Sequence, residues 1–510
     1  MRAHPLDRRC SGVLLHLTSL PGPHGHGDLG TDAHRFAQFL SQASQRLWQM
    51  LPVGPPGAGN SPYASPSSFA GSASLISLEL LARDGWLDAG DLRAPEKLGG
   101  ARAQYAAAAR FRVPRLRAAF ERFEHSARHR RVLDRFVEGH PEWLPDHALF
   151  YAVRRETGGA AWPDWDAELR LRRPAALRRA RQRLAPEVRF QAFVQYQFDR
   201  QWKELRRACH EQGVWLLGDV PMYVAHDSVD VWANQDLFQL DRRGHCTAVA
   251  GVPPDAFSRT GQLWGNPLYR WDRLEQREYG WWIARLRRQL QWFDAVRLDH
   301  FIGLHRYWRV PAGARTAARG RFVRVAGARL LERLRAQLGG LPFVAEDLGL
   351  VVPPVEALRD RFGLPGMRVL QFGFDDEGGR THQPHRYPRH TVAYTGTHDN
   401  DTITGWLRGL PPDQPRRKRH EARSRRRRVL EYAASDGREP HWDLIRCVLM
   451  SSANTTIFPL QDLLGLDSRA RMNTPGTAQG NWEWRLLPGQ LTTAVSRRMS
   501  ALCHTYERSA

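Results

Sequence analysis

The stretch Asp294-Ala-Val-Arg-Leu-Asp-His300 decides the fold of this 510-residue chain. Its apolar residues predict a short buried strand over residues 295–299 that ends in an acidic side chain. Successive side chains of a strand alternate between its two faces, so Arg297 and Asp299 share one face. A neighbouring arginine favours the ionised form of a carboxylate. The stretch therefore predicts a core strand that carries a charged pair to its carboxyl end.

Three further predicted strands are followed by acidic side chains. These ends are Leu217-Gly-Asp219, Val344-Ala-Glu346 and, a few residues beyond its strand, His398-Asp399. A single acidic residue at a strand end is often only a helix cap or a solvated turn. Four such ends are typical of a barrel of parallel strands, in which the carboxyl ends of the strands meet on one face and form the active site.

Eight segments have the apolar or β-branched pattern of buried strands. They are residues 13–17, 47–53, 214–219, 295–299, 343–346, 368–374, 391–395 and 455–459. Most are separated by helical stretches such as residues 326–338, in which leucines recur at three- and four-residue spacing. Alternating strands and helices give parallel strands with right-handed crossovers. The sequence thus predicts an α/β protein with an elaborated (β/α)₈ TIM barrel.

We predict that residues 1–510 form a single catalytic barrel with two insertions. Residues 85–205 are rich in Ala, Leu and Arg, which predicts a helical subdomain between the second and third strands. Residues 220–279 show little helical pattern before Leu274. Long ordered loops usually carry function, so we expect this second region to consist of loops that face the substrate.

The composition is that of a globular protein, with 42% hydrophobic and 25% charged residues, which excludes a disordered or collagen-like chain. No apolar run approaches the ~18 residues needed to cross a bilayer, and the first residues lack the apolar segment of a secretory signal. The five cysteines are far apart and form no CxxC pair, and the histidines form no HExxH motif. We therefore expect a cytoplasmic protein with no membrane contact, no disulfide framework and no metal site.

The chain is strongly basic, with a formal net charge of +22 from 75 Lys and Arg against 53 Asp and Glu. Such an excess can indicate nucleic-acid binding, and residues 416–428 (RRKRHEARSRRRR) are its extreme case. No nucleic-acid motif accompanies the charge, and the basic segments have the pattern of solvated helix faces. We expect no nucleic-acid partner; strongly salt-dependent retention on DNA would support the alternative.

The acidic strand ends have the residue types that cleavage of a glycosidic bond requires. One carboxylate attacks the anomeric carbon, and a second carboxyl group protonates the leaving oxygen. Asp299 beside Arg297 suits the first role and Glu346 the second. Three further polar residues at these strand ends could hold sugar hydroxyls: His300, His398 and Asp399. Many of the 18 tryptophans lie beside Gly, Asn, Asp or Pro, and aromatic rings in such loops suit the flat faces of sugars.

Eleven motifs follow one another along nearly the whole chain. They are residues 11–21 (SGVLLHLTSLP), 48–55 (WQMLPVGP), 60–63 (NSPY), 218–228 (GDVPMYVAHDS), 231–234 (VWAN), 251–255 (GVPPD), 261–269 (GQLWGNPLY), 344–349 (VAEDLG), 363–367 (GLPGM), 396–400 (GTHDN) and 471–477 (RMNTPGT) with 480–484 (GNWEW). In this order they resemble the 4-α-glucanotransferases, or amylomaltases, which form glycoside hydrolase family 77 of the α-amylase clan.

The resemblance implies a role for each matching residue. Asp299 would be the nucleophile, Glu346 the general acid and base, and Asp399 the stabiliser of the transition state. The donor subsite would be lined by Tyr63, Asp219, Arg297 and His398. A loop closing over donor and acceptor would contribute Phe257, Trp264 and Asn266. The loops of the last strand would contribute Asn473, Pro475 and Trp484.

The resemblance also implies an activity without metal or organic cofactor. Members of the family transfer α-1,4-glucan segments to the 4-hydroxyl of glucose or a maltooligosaccharide through a covalent glucosyl-aspartate. The chain departs from the family pattern at Ala256, where a cleft-capping tyrosine is usual, and at residues 71–74 (GSAS), where Gly-Asn-Pro-Tyr is usual. Ala256 leaves an α-1,4-glucan hydrolase of the same clan as one alternative, and a non-catalytic glucan-binding protein that uses a Trp-rich cleft is another.

Overall fold

The computed structural model describes residues 5–254, 258–349, 352–374, 377–408 and 416–509. Within these ranges it has twelve β-strands and eighteen α-helices. The strands are β1 Cys10–Leu14, β2 Leu47–Gln49, β3 Trp215–Val220, β4 Ala248–Val252, β5 Gln262–Pro267, β6 Ala295–Leu298, β7 Arg306–Pro311, β8 Arg321–Arg324, β9 Phe343–Ala345, β10 Gly366–Val369, β11 Thr391–Tyr394 and β12 Thr455–Pro459. The helices are α1 Thr31–Gln42, α2 Leu78–Arg83, α3 Tyr105–Glu124, α4 Ala127–Glu138, α5 Leu144–Glu156, α6 Ala167–Arg170, α7 Pro174–Arg183, α8 Ala185–Glu211, α9 Val229–Ala233, α10 Trp271–Gln276, α11 Gly280–Trp292, α12 Gly327–Leu338, α13 Pro353–Arg361, α14 Ile403–Leu407, α15 Arg416–Tyr432, α16 Pro440–Met450, α17 Leu460–Leu463 and α18 Thr493–Thr505.

Eight strands form one parallel sheet in the order β10-β11-β12-β1-β2-β3-β6-β9. The two end strands meet where the Ala345 N–H donates to the carbonyl of Pro365 at 2.9 Å. Asp347, two residues after the end of β9, accepts a hydrogen bond from the Met367 N–H of β10 at 2.7 Å and pairs with Arg359. These contacts nearly close the sheet into a ring, and the predicted TIM barrel is confirmed.

All eight predicted strands are barrel strands, but three have clearly different bounds. The first runs over β1, Cys10–Leu14, and so begins and ends three residues before the predicted segment. The second, β2, ends at Gln49 instead of the predicted Val53. The sixth is β10, Gly366–Val369, whereas Leu370–Phe374 forms a 3₁₀ helix. The chain leaves the sheet there because the ladder between β10 and β11 ends with Val369 beside Tyr394. The helix predicted over residues 326–338 is α12.

Seven helices, α2 to α8, lie between β2 and β3, in the region where the sequence predicts a helical insertion. Helix α8 is hydrogen-bonded to the backbone of the segment that follows β2. The Gln195 side chain accepts from the Gly71 N–H at 2.9 Å and donates to its carbonyl at 3.0 Å. Gln201 makes the same pair of bonds to Ser77, at 2.7 and 3.1 Å. These bonds hold the backbone against the insertion at Gly71 and at Ser77, that is, at the start of residues 71–74 and three residues beyond their end.

A second, antiparallel sheet in the order β5-β4-β7-β8 stands beside the barrel. Two of its strands, β4 and β5, lie within residues 220–279, which we predicted as loops. The sequences of these strands contain Gly251, Gly265, Asn266 and Pro267, residue types that are depleted in strands. The local sequence pattern therefore did not predict these two strands. Their sheet places the β5 side chains next to the barrel.

Some of the basic charge lies inside the protein. The buried arginines among the described residues are Arg112, Arg285, Arg288, Arg297, Arg485 and Arg508. Arg508 alone donates to the carbonyls of five residues, Leu449, Cys10, Asn454, Ser451 and Ala453. The Arg run forms most of helix α15, whose described arginines are largely exposed. The interpretation of the basic excess as solvated helix faces is therefore only partly right.

Among the helices of the described ranges, none is both long and apolar enough to cross a membrane.

Candidate active site

Three neighbouring barrel strands bring the candidate catalytic residues together. Strand β6 lies between β3 and β9, and its register pairs Arg297 with Asp219 and Leu298 with Ala345. Asp299 directly follows Leu298 and Glu346 directly follows Ala345, so the two residues come after adjacent strands at the same level. The barrel ladder itself therefore sets these two carboxyl groups side by side at the carboxyl face.

Arg297 joins two carboxylates. Its Nη1 donates to both carboxylate oxygens of Asp219, at 2.9 and 2.7 Å, and its Nη2 lies 2.7 Å from Oδ1 of Asp299. Arg297 and Asp219 are buried, whereas the Asp299 side chain is 30% exposed. Burial opposes the charge of Arg297, but Asp219 and Asp299 outweigh it and hold its pKa well above the usual value. The guanidinium therefore stays charged and orients Asp299 toward the cleft.

Tyr63 builds one wall of the cleft above Asp219. Its hydroxyl donates to Oδ2 of Asp219 at 2.8 Å. Burial raises the pKa of Asp219 against the opposing charge of Arg297, and burial also raises the pKa of Tyr63. The Tyr63 ring stacks on the ring of His398, with centroids 5.2 Å apart and planes at 19°. The wall therefore presents an aromatic surface with a polar rim, which suits a sugar ring.

Glu346 is held by two backbone N–H groups. The His300 N–H donates to Oε2 at 2.8 Å, and the Leu348 N–H donates to Oε1 at 3.0 Å. His300 has φ 54° and ψ 50°, a left-handed conformation that is uncommon for a residue other than glycine and clusters at functional sites. Burial raises the pKa of Glu346 to about 7, with the Arg297 charge opposing and the Asp299 charge adding to this shift. Near pH 7 the site thus combines an ion-paired carboxylate with a carboxyl group able to donate a proton.

Asp399 lies on the loop that follows β11, with its side chain 46% exposed. Its Oδ1 accepts a hydrogen bond from Nδ2 of Asn473 at 2.6 Å and lies 3.5 Å from Nε2 of His398. The structure thus brings Asp399, His398 and Asn473 into one contact group that includes the ring of Tyr63.

The strand β5 supplies two more of the predicted site residues. Trp264 is 38% exposed, and its ring meets His300 edge-on with centroids 4.8 Å apart. Burial lowers the pKa of His300 to about 4, so the imidazole beside Trp264 is neutral at physiological pH. Asn266 donates from Nδ2 to the carbonyl of Val224 at 2.9 Å and so ties β5 to the loop after β3.

The remaining predicted residues lie away from these contacts or outside the described ranges. Pro475 is exposed on the loop that follows Asn473. Trp484 packs against the hydrophobic core. Phe257 lies outside the described residues, as does Ala256, the position at which the chain differs from the family pattern.

Sequence reasoning missed Trp482. This residue is buried, and its ring centroid lies 5.8 Å from those of both Tyr63 and His398. The motif Asn481-Trp-Glu-Trp484 contains two tryptophans with the same apolar side chain; Trp482, whose backbone is left-handed with φ 66°, contacts Tyr63 and His398, whereas Trp484 packs against the hydrophobic core. The spacing alone could have offered both as candidates.

Within the part of the chain that the structure describes, no group of three or more His, Cys, Asp or Glu side chains could hold a metal ion.

Comparison with known proteins finds similarity over nearly the full length of the chain. Residues 15–492 match the model of a family described as 4-alpha-glucanotransferase. A 4-alpha-glucanotransferase of Thermus thermophilus is 46% identical over 506 residues, covering 98% of this chain and 99% of its own. One from Synechocystis is 44% identical over 509 residues, covering 99% of each chain. The solved structure of an amylomaltase from Streptococcus agalactiae in complex with acarbose is 36% identical, with a TM-score of 0.92, and covers 98% of this chain and 100% of its own.

The raised pKa of Glu346 predicts a pH-dependent contribution to stability. The carboxyl would ionise near 4.5 in the unfolded chain but near 7 in the folded protein, which therefore holds this proton to higher pH. The contribution is present below about pH 4.5 and is lost as pH rises to about 7. In Glu346→Gln this loss should be absent. Urea unfolding across this pH range measures the free energy of unfolding, with the exposed Glu142→Gln as the matched control. Identical pH profiles of the free energy of unfolding for wild type and Glu346→Gln would contradict the assignment.

Proposed function

We propose a mechanism for this chain, which belongs to the 4-alpha-glucanotransferase family, glycoside hydrolase family 77, and is a 4-alpha-glucanotransferase. In this mechanism Asp299, Glu346 and Asp399 perform the chemistry by retaining double displacement. The observation that carries the proposal is the pairing of β6 and β9, which sets the ion-paired Asp299 beside Glu346 with its raised pKa. A retaining mechanism needs these two states on neighbouring carboxyl groups.

In the first step a carboxylate oxygen of Asp299 bonds to the anomeric carbon of the donor. The bond from that carbon to the glycosidic oxygen breaks, and Glu346 gives its proton to the departing oxygen. The leaving segment departs with a free 4-hydroxyl, and the rest of the glucan stays bound to Asp299. Arg297 favours this step by holding the attacking carboxylate of Asp299, with Nη2 2.7 Å from its Oδ1.

In the second step the 4-hydroxyl of glucose or a maltooligosaccharide attacks the same carbon, and Glu346 takes its proton. The negative charge of Asp299 helps to raise the pKa of Glu346. Once Asp299 is an ester this charge is gone, so the pKa of Glu346 falls and its carboxylate becomes available as a base. Breaking the ester bond returns Asp299 to its carboxylate form, and the anomeric configuration is retained.

The residues around this pair are proposed to hold the sugar at the cleavage point. Tyr63, His398 and Trp482 form an aromatic wall for one face of the ring. Asp399 places a half-exposed acidic side chain near that wall to accept hydroxyl hydrogen bonds, whereas the buried Asp219 acts through Tyr63, whose hydroxyl donates to it. Asp399 would also stabilise the positive charge that develops on the ring in the transition state.

Transfer rather than hydrolysis requires that an acceptor sugar occupy the site when the ester is attacked. Holding the acceptor in place makes its attack effectively intramolecular, which favours it over water. The exposed ring of Trp264 lies next to His300, whose N–H contacts Glu346. We propose that this ring forms the acceptor platform.

Other expectations remain proposals. None of the five cysteines, all of which lie within the described ranges, forms a disulfide, which supports a reducing, cytoplasmic location. The proposed steps use only carboxyl, hydroxyl and guanidinium groups, so they call for no cofactor. The absence of a nucleic-acid partner stays a prediction.

Two substitutions separate the roles of the carboxyl groups. Asp299→Asn should lower transfer from maltotriose by about 10⁴-fold or more, because the nucleophile is gone. Glu346→Gln should lower it by about 10²- to 10⁴-fold. An α-maltosyl fluoride donor needs no protonation of its leaving group, so Glu346→Gln should still release fluoride in a first turnover while Asp299→Asn should not. Fluoride release and chromatography of products measure both; equal loss of fluoride release in the two variants would refute the assignment.

Trp264→Ala tests the acceptor platform. Loss of the ring should lower the ratio of transfer to hydrolysis with maltotriose by roughly 3- to 10-fold, because the acceptor sugar loses its stacking surface and water competes better. Leu263→Ala is the matched control, because Leu263 is 42% exposed on the same strand and points to the other face. Products longer than maltotriose report transfer, and a rise in the total number of reducing ends, which transfer leaves unchanged, reports hydrolysis. The same ratio in wild type and both variants would rule out the platform.

A further inference from the structure

The orientation of the Asp399 side chain depends on contacts with other parts of the chain. This residue lies beyond the end of β11, on a loop, and nearly half of its side chain is exposed. Residues on loops are held less tightly than residues on strands, and a misplacement of about 1 Å can cost a large part of a reaction rate. Asp299 and Glu346 directly follow barrel strands, so Asp399 depends more than either on contacts from elsewhere in the chain.

Those contacts come from one short segment, residues 471–473. Arg471 donates from Nη2 to the backbone carbonyl of Asp399 at 2.6 Å and from Nε to the carbonyl of Asn473 at 2.7 Å. Asn473 in turn donates from Nδ2 to the carboxylate of Asp399 at 2.6 Å, and its N–H donates to the carbonyl of His398 at 3.0 Å. One guanidinium thus joins the backbone of Asp399 to the backbone of the residue that orients its carboxylate.

The segment also reaches the aromatic wall. The residue between Arg471 and Asn473, Met472, accepts a hydrogen bond at its carbonyl from the N–H of Trp482 at 2.7 Å. Trp482 packs on both Tyr63 and His398. The same three residues therefore connect the carboxylate of Asp399 to the surface on which the sugar is proposed to stack.

We propose that Arg471 is a positioning residue that fixes the carboxylate of Asp399 for the transition state, a role that rests on the function proposed above for Asp399. Arg471 does not need to touch the sugar. It acts through the backbone carbonyls of Asp399 and Asn473, to which two nitrogens of its guanidinium donate hydrogen bonds. The planar guanidinium suits this task because its nitrogens donate in fixed directions, whereas a lysine ammonium is a single point of contact.

The first test is the kinetics of Arg471→Ala and Arg471→Lys with maltotriose. Loss of an outer residue that orients a functional group commonly costs about 10- to 100-fold. We expect kcat to fall by that factor in both variants while KM changes by less than about threefold, because Asp399 acts mainly in the transition state. Low millimolar guanidinium should restore part of the kcat of Arg471→Ala. A wild-type kcat in Arg471→Lys would overturn the proposal, and this variant keeps the side-chain stem and charge should Arg471→Ala fail to fold.

The matched control is Arg469→Ala, which lies two residues earlier in the same segment. The Arg469 side chain is 91% exposed and pairs with Asp467, not with the site. Its kcat should equal that of the wild type and should not respond to guanidinium. An equal fall in kcat for Arg469→Ala and Arg471→Ala would assign the effect to general loosening of the segment and overturn the proposal.

The decisive test is a double-mutant cycle with Asp399→Asn. If Arg471 acts through the Asp399 carboxylate, Arg471→Lys should change the residual kcat of Asp399→Asn by less than about threefold. The same 10- to 100-fold fall in both backgrounds would show that Arg471 acts independently of that carboxylate, and would overturn this inference alone. A wild-type kcat for Asp399→Asn itself would instead overturn the function proposed for Asp399.

Discussion

The contact on which the site depends is the buried Arg297 guanidinium between two carboxylates. It binds Asp219 through two hydrogen bonds and reaches Asp299 at 2.7 Å from the same position. A buried charge is tolerated only when it is paired with good geometry, and removing one partner leaves an uncompensated ion. The register of β3 and β6 sets Asp219 opposite Arg297, so the barrel that hides the charge also supplies its partner.

This arrangement gives two neighbouring carboxyl groups different states. Asp299 faces the guanidinium, whereas Glu346 accepts hydrogen bonds from two backbone N–H groups and has its pKa raised to about 7 by burial. The difference comes from position on adjacent strands, since both side chains end in the same chemical group. The proposed nucleophile and the proposed proton donor are therefore distinguished by their environments, which is the pattern expected of a retaining glycosidase-type site.

The sequence predicted the barrel and its acidic strand ends because short apolar runs that stop at Asp or Glu carry a signal that does not depend on distant residues. Other features depend on contacts that no local pattern encodes. The strands β4 and β5 contain Gly, Asn and Pro and were predicted as loops. The motif around Trp482 and Trp484 could not show which ring meets Tyr63, because the two side chains are identical and the contact depends on how the loop folds. Nor could composition reveal that arginines such as Arg508 bind internal carbonyls.

The most direct test of the account is to trap the intermediate on Asp299. In Glu346→Gln an α-maltotriosyl fluoride donor can form the ester without an acid, and the missing base should slow its removal. Proteolysis at low pH followed by mass spectrometry of the peptides locates the added sugar. The account predicts a maltotriosyl adduct on Asp299 that is absent from Asp299→Asn/Glu346→Gln. An adduct on a different residue, or release of fluoride with no adduct at any time point, would contradict it.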